Sequence, residues 1–135
     1  GGGAPPVIEH VAVVGLELSA LPRDVAPRTP TGIRLQMNMD DFLLEDCRIT
    51  NFGDGVTAQL TGGLLTNLRF RRNVIANCYS GDGSHAQGIY CDEVDGLLIE
   101  ENVIDHGGWT ETDAGADAPD IFFNWAGDFL ATRRS

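Results

Sequence analysis

Short apolar runs recur along the chain, each three to five residues of alternating apolar and polar positions. The runs around Phe42, Leu68 and Leu97 align with one another, and a less regular copy surrounds Val11. A period of two over so few residues predicts β-strands, because a helix would repeat its apolar positions every three or four residues. The pattern therefore predicts a chain of short strands.

The aligned runs form a repeat of variable length. Successive members of one apolar column are 31, 26 and 29 residues apart: Val13, Leu44, Phe70 and Ile99. A shorter motif follows each copy: TGIRLQ (31–36), DGVTAQ (54–59), QGIYCD (87–92) and, less clearly, PDIFFN (119–124). This gives about four units of three strands. Because each strand is too short for a stable hairpin, we expect equivalent strands to stack in parallel, one unit above the next.

Another column of the repeat lies where the chain must bend between two strands of one unit. It is occupied by Leu16, Cys47, Asn73 and Asn102. Asparagine tolerates the left-handed backbone region, and its amide bonds to backbone groups and to other amides. We therefore expect Asn73 and Asn102 to form the bends and to bond to each other.

These patterns predict an all-β fold: a parallel β-solenoid of about four rungs in a single domain, residues 1–135. The rungs span 7–124, and 125–135 form a tail or a short non-repeat cap. In that cap three apolar residues fold over the open end: Trp125, Phe129 and Leu130. A small jelly roll or sandwich is the alternative. The solenoid predicts that equivalent residues of successive repeats are stacked neighbours, whereas the alternative does not. The residues that distinguish the two folds are Ile49, Ile75 and Ile104.

The motif GIYCDEVDG (88–96), followed by LLIEENVIDH (97–106), resembles the right-handed parallel β-helix repeat of the pectin-lyase-like superfamily. The resemblance covers residues 7 to about 110. Within the superfamily, the sequence resembles bacterial β-helix repeat proteins. It implies a right-handed coil and, with only about four rungs, a short or truncated member. The superfamily includes polysaccharide lyases, glycoside hydrolases, epimerases, adhesins and tailspikes, so it leaves the activity open.

Charge and composition limit the classes of partner that the chain can bind. The net charge is −11, and all nine basic residues are arginine. This balance argues against nucleic acid and anionic membranes, which require basic patches. No apolar run is long enough for a membrane span, and the opening residues GGGAPP do not resemble a signal peptide. The three cysteines have no CxxC spacing: Cys47, Cys78 and Cys91. We expect them to be small buried residues of the core and not to form disulfides or a zinc site.

Candidate functional residues concentrate around three long connections, residues 22–31, 79–87 and 108–119, which the repeat places along one edge of the solenoid. Aromatic and amide side chains suited to binding a saccharide are Tyr79, Gln87, Tyr90 and Trp109. Candidate catalytic acids and bases are His85, Asp92, Asp105 and His106. Further acidic residues of the same edge are Asp82, Glu111, Asp113 and Asp117.

The first functional hypothesis is carbohydrate binding or processing along this edge. If the chain is an enzyme, it is a polysaccharide hydrolase or lyase. Lyases of the superfamily often use Arg or Lys as the base with calcium on carboxylates, so the resemblance implies a possible Ca²⁺ site at Asp92, Glu93 and Asp95. The absence of lysine makes a hydrolase the better candidate, and binding without catalysis better still. Each residue also has a purely structural interpretation, such as a turn at Asp82 or a backbone cap at His106.

The second hypothesis is a non-catalytic assembly protein. A short solenoid has two open ends with unpaired strand edges, and association covers them. This predicts a homo-oligomer, with a closed homodimer as the simplest form.

Overall fold

A computed structural model describes residues 5–20, 30–80, 86–110, 120–121 and 126–133; for residue 80 and from residue 108 onward it describes the backbone only. The described chain is all-β and contains no helix, so it also holds no helix that could cross a membrane. The strands are β1 Ile8–Val14, β2 Glu17–Ser19, β3 Ile33–Leu35, β4 Met39–Glu45, β5 Arg48–Thr50, β6 Val56–Gln59, β7 Leu65–Arg71, β8 Val74–Ser80, β9 Ala86–Glu100, β10 Val103–Thr110, β11 Asp120–Ile121 and β12 Ala126–Arg133.

The strands form curled parallel sheets, arranged as a half-barrel. The larger sheet contains two ladders that share the long strand β9. Ladder I runs β3, β6, the first part of β9 and β12, while ladder II runs β1, β4, β7 and the second part of β9. Ladder III is the second sheet, β2, β5, β8 and β10, to which β11 adds an antiparallel pair. Each repeat passes through the ladders in the same order, because β3, β4 and β5 are followed by β6, β7 and β8.

The predicted parallel pairing of equivalent residues is confirmed. In ladder II, Val13 pairs with Leu44, Leu44 with Phe70, and Phe70 with Ile99. In ladder III, Ile75 pairs with both Ile49 and Ile104. These parallel ladders are inconsistent with a jelly roll, whose sheets are antiparallel.

The core is built from the inward members of the ladders. Strand alternation sends every second side chain to the same face, and Leu44, Ile49, Phe70, Ile75 and Ile89 are fully buried. The rings of Phe42 and Phe70 pack edge to face, with centroids 6.3 Å apart. The predicted burial of the three cysteines is also confirmed. Burial raises the pKa of the Cys91 thiol to about 12, so this thiol stays protonated and unreactive at neutral pH.

Left-handed backbone conformations recur at the same phase of successive repeats. In ladder II one row of paired residues with positive φ consists of His10, Asp41, Asn67 and Gly96. At the bend between ladders II and III they are Gly15, Asp46, Arg72 and Glu101. In ladder III and at its edge they are Asn51, Asn77 and His106. Within each row the backbone bends at paired positions of neighbouring strands, so the strands stay in register.

The asparagines at the bend differ from the prediction in their backbone conformation. Asn73 and Asn102 do not have positive φ; the residues just before them, Arg72 and Glu101, do. The amide bonding is as expected, because Asn73 Nδ2 donates to Asn102 Oδ1 at 2.9 Å. Asn73 also accepts from the Cys47 N–H and donates to the Leu44 carbonyl, both at 3.0 Å. Its side chain points into the core, where it satisfies backbone groups that the bend leaves without strand partners.

Glycines mark the entry to ladder I, which explains the glycine of the short motif. A Cβ on Gly32 would lie 2.7 Å from the Gly55 carbonyl oxygen, and one on Gly55 would lie 2.5 Å from the Gly88 oxygen. Both would also meet a γ-methyl group of a buried isoleucine, Ile49 or Ile75. Only glycine fits where the backbone returns this close to the core.

The fourth copy of the short motif differs from the prediction PDIFFN (119–124). The strand that pairs with β9 in parallel is β12, with Gly127 opposite Gln87 and Phe129 opposite Ile89. Within 119–124, Asp120 and Ile121 instead pair antiparallel with Thr110 and Trp109. The sequence did not reveal this register because residues 126–133 lack the Gly-apolar start of the other copies. Ladder I therefore continues into the segment expected to form a tail or cap; the side chains of Trp125, Phe129 and Leu130 lie outside the described part.

Two adjacent arginines at the end of β7 are matched by carboxylates on neighbouring strands. Arg71 Nε lies 3.0 Å from Glu45 Oε2 and 3.5 Å from Glu100 Oε1, at ion-pair distance although its N–H is not aligned for a hydrogen bond. Arg72 lies 2.7 Å from Glu45 and 3.0 Å from Asp46. These arginines connect adjacent strands of ladder II and do not form an unopposed basic patch.

A second charged group lies on the first strands of ladder II. His10 Nδ1 lies 2.8 Å from Asp41 Oδ2, and the other oxygen of Asp41 accepts from Arg69. The hydrogen bond with Asp41 is the main cause that raises the pKa of His10, and the same bond is the main cause that lowers the pKa of Asp41. The stabilisation linked to His10 is complete below pH 6.5, its ordinary pKa, and is lost as the pH rises through the raised value. That linked to Asp41 is complete above pH 3.8 and is lost as the pH falls through the lowered value.

We expect NMR titration to show that His10 titrates above pH 6.5, and that Asp41→Asn returns it toward that value. Asp40→Asn is the matched control, since Asp40 is adjacent but affects the His10 pKa least among the contributing carboxylates. An unchanged His10 titration in Asp41→Asn would contradict the assignment.

Candidate functional site

The outer face of ladder I carries a cluster of polar side chains. Residues Val56 and Ala58 of β6 point into the core, so alternation directs the residues between and after them outward. Parallel pairing places Thr57 opposite Tyr90 and Gln59 opposite Asp92. We call these four residues, Thr57, Gln59, Tyr90 and Asp92, the outer cluster.

Hydrogen bonds connect three members of the outer cluster. Gln59 Nε2 donates to Tyr90 Oη and to Asp92 Oδ2, both at 3.3 Å. Burial is the first cause that raises the pKa of Tyr90, and the negative charge of Asp92 is the second. The phenol is therefore neutral at physiological pH and retains a proton to donate. An amide, a phenol and a carboxylate on adjacent strands form a fixed set of donors and acceptors.

Thr57, the fourth member, is buried with 6% of its surface exposed. Its hydroxyl has no hydrogen-bond partner in the described part of the chain. Most buried hydroxyl groups in proteins are hydrogen-bonded, since leaving one unpaired costs about 1–3 kcal/mol. Because it is buried, this hydroxyl lies beside the half-buried polar groups of the cluster and does not itself reach the surface.

A turn beside the outer cluster brings in a second carboxylate. Asp54 Oδ1 accepts from the Gln87 N–H at 3.1 Å, which fixes the connection before β6 to the start of β9. The charge of Asp54 contributes, after Asp92, to raising the pKa of Tyr90. Gln87 itself is buried, with 3% exposed, so its amide is less accessible than a surface-binding role requires.

The candidates in ladder III form a separate group. Asp105 and His106 are exposed, and His106 has positive φ. His106 Nδ1 lies 3.0 Å from Asn77 Oδ1, and Asn77 Nδ2 donates to Asn51 at 3.4 Å. His106 therefore continues a row of polar side chains on bent backbone positions, which supports its structural interpretation. These residues belong to the second sheet, whereas Tyr90 and Asp92 belong to the first.

The aromatic pair predicted to bind a saccharide is brought together only in part. The backbones of Tyr79 and Trp109 are directly paired, beside an irregularity between Gly107 and Trp109. The Tyr79 side chain, however, is 4% exposed. Tyr79 is therefore a buried residue of β8, and the Trp109 side chain is outside the described part.

The three proposed calcium ligands lie near the middle of β9. Glu93 has positive φ, and its Oε2 accepts from the Gly62 N–H at 3.4 Å. Asp95 is exposed and pairs with Thr66 in ladder II, whereas Asp92 pairs with Gln59 in ladder I. Within the described residues, no group of three or more His, Cys, Asp or Glu side chains is arranged to hold a metal ion.

Some candidates lie outside the described residues: His85, Asp82, Glu111, Asp113 and Asp117. Thr57 and Gln59 were not among the residues predicted from the sequence. Their signal was the alignment of DGVTAQ with GIYCD, which places Gln59 and Asp92 at equivalent positions of successive repeats.

A comparison with models of protein families, with curated proteins and with solved structures found no match to this chain.

Proposed function

We propose that the chain is a short right-handed parallel β-helix of the pectin-lyase-like type. Two observations support this: every repeat passes through ladders I, II and III in the same order, and equivalent residues pair in parallel. The right hand is supported by the strong preference for right-handed crossovers between parallel strands of one sheet. A crystal structure tests the proposal; a left-handed or open arrangement of the three ladders would overturn it.

We propose that this β-helix binds a carbohydrate on the outer face of ladder I. The observation that carries the proposal is the outer cluster, in which Gln59 contacts both Tyr90 and Asp92 beside the buried hydroxyl of Thr57. Carboxylate and amide oxygens accept from sugar hydroxyl groups, and the amide N–H and phenol donate to them. The tyrosine ring adds an apolar surface suited to sugar C–H groups.

The charge favours a neutral glycan. The net charge of −11 repels anionic polyuronates, unless a cation bridges them to the protein. Calcium held by Asp92, Glu93 and Asp95 would be such a bridge, and it remains part of the proposal only for an acidic ligand. A binding role requires no second catalytic carboxylate, which is why we favour binding over hydrolysis by Asp92 with Asp105, His85 or His106.

The test is a panel of neutral and acidic polysaccharides, each with Ca²⁺ and with a chelator. Binding is read by thermal shift, and turnover by new reducing ends and by the absorbance of unsaturated uronates. We expect a thermal shift with a neutral glycan that is independent of calcium. A shift with a polyuronate only when calcium is present would instead support the metal-bridged form, and new reducing ends would support a hydrolase.

Asp92→Asn is expected to weaken binding of the glycan that the panel identifies by about tenfold or more, because a hydrogen bond to a charged group contributes about 1.5–3 kcal/mol. Tyr90→Phe, which removes only the hydroxyl, should have a smaller effect in the same direction. Asp105→Asn is the matched control, since Asp105 is an exposed carboxylate on the other sheet. Binding that is lost in Asp105→Asn and retained in Asp92→Asn would place the site elsewhere.

A further inference from the structure

The described strands form a stack with two ends. One end is formed by β1, β2 and β3, and the other by the second part of β9, β10 and β12. Among the strands that the structure describes, two pairings cover part of these outer edges: β11 lies against Trp109 and Thr110 of β10, and Arg133 of β12 lies opposite Val94 of β9. Unpaired strand edges readily accept a further strand.

The ends are stepped in a complementary way. Ladder I begins at β3, one repeat later than ladders II and III, which begin at β1 and β2. At the other end ladder I extends to β12, one repeat beyond the last strands of ladders II and III. If the two ends meet, β12 of one copy fills the place in ladder I that lies beside β1 and β2 of the next.

The residue rows also continue across such a contact. Extending the observed pairings places apolar residues of one copy opposite apolar residues of the next: Ile99 on Val13, Ile104 on Leu18 and Phe129 on Ile33. The rows of residues with positive φ continue as well, with Gly96 opposite His10 and Glu101 opposite Gly15. One pair of like charges results, Asp95 opposite Glu9, on an exposed face where its effect is small.

Exposed apolar residues concentrate at these ends. Eight large apolar side chains are exposed in the described part of the chain, and six of them lie on the end rungs: Val7, Ile8, Val14, Leu16, Leu98 and Val103. Val103 is 56% exposed although it continues the row of the half-buried Val74. Such clustering is typical of surfaces that bind another protein.

We propose that the chain associates head to tail with a second copy of itself through these stepped ends. The contact is heterologous, so each copy keeps one free end of each kind and association extends into a linear stack. A two-fold dimer that joins like ends would pair the strands antiparallel and leave both steps unfilled. Because the outer cluster lies on the side of the stack and not at its ends, this association does not depend on it.

A cysteine pair tests both the association and its direction. Ala12 pairs with Leu43, Leu43 with Arg69, and Arg69 with Leu98, so the proposal places Ala12 of one copy directly opposite Leu98 of the next. Neighbouring strands are about 4.8 Å apart, which is within the reach of a disulfide. Both residues are exposed, whereas the native cysteines are buried and do not compete.

Ala12→Cys, Leu98→Cys and the double variant are oxidised at micromolar concentration and separated on a non-reducing gel. We expect the double variant to lose its monomer band to a ladder of covalent oligomers. A mixture of the two single variants should form dimers only, because each disulfide uses one cysteine of each kind. Neither single variant should cross-link alone.

Reduced samples control for folding and for association. Circular dichroism must match the unmodified chain, and the sedimentation coefficient of the unmodified chain should rise with concentration. Dimers of either single variant alone would show that like ends meet and would overturn the proposal. A folded monomer at all concentrations, with no cross-linking of the double variant, would also overturn it and indicate that a different segment or protein covers the ends.

Discussion

Replacing Asn73 with alanine is expected to lower the free energy of unfolding by about 2 to 5 kcal/mol. The Asn73 side chain is 1% exposed, accepts from the Cys47 N–H and donates to the Leu44 carbonyl. Alanine leaves both backbone groups in the core without these bonds, and each buried polar group left unpaired costs about 1–3 kcal/mol. Urea unfolding followed by circular dichroism measures the loss.

The matched control is Asn77→Ala. Asn77 is half-buried and has positive φ; its side chain donates one long bond to Asn51 and lies 3.0 Å from the exposed His106 Nδ1, so we expect a loss of only about 1 kcal/mol. Equal losses in the two variants would show that the inward amide contributes no more than a surface asparagine.

Gly55→Ala is expected to cost about 3 kcal/mol, because overpacking of a close-packed interior forces the backbone to shift. The added Cβ would lie 2.5 Å from the Gly88 carbonyl oxygen and 2.5 Å from Cγ2 of Ile75, which is fully buried. Neither neighbour is free to move, since one belongs to the next strand and the other to the centre of the core. Thermal and urea unfolding both report the change.

Gly15→Ala separates this packing effect from the general cost of replacing glycine. Gly15 has φ of +69°, and no atom lies within 4 Å of the position of its Cβ. Its loss should be about 1 kcal/mol, the cost of a left-handed alanine. If Gly15→Ala proves as destabilising as Gly55→Ala, the close approach of the strands is not the reason for the glycine row.

The pairing of the strands was predictable because the apolar columns have a repeat. Residues such as Leu44 and Phe70 occupy equivalent positions 26 residues apart, and their burial fixes the register. The positions of the bends were harder to predict. Left-handed φ occurs at residues as different as His10, Arg72 and Glu101, none of which has glycine's freedom, so tertiary pairing and not local preference determines the conformation.

The candidate site was only partly predictable. Tyr90 and Asp92 were identified by their residue types, but their partner Gln59 lies 31 and 33 residues away and is brought to them by the sheet. Tyr79 has the chemistry of a binding residue and is nevertheless buried. The sequence shows which groups are present, whereas exposure depends on the side of the strand that each group occupies.

The ladders also determine how the chain closes its contacts during folding. Within each ladder a strand pairs with strands one repeat away, and in ladder II these separations are 31, 26 and 29 residues. The entropy lost in closing each loop is therefore similar for every rung and does not grow as rungs are added. We expect the slow step to be the first pairing of two neighbouring repeats, after which each further repeat adds to an existing template. A longer stack of the same kind would thus fold by successive addition from any starting pair, with no need for contacts between its distant ends.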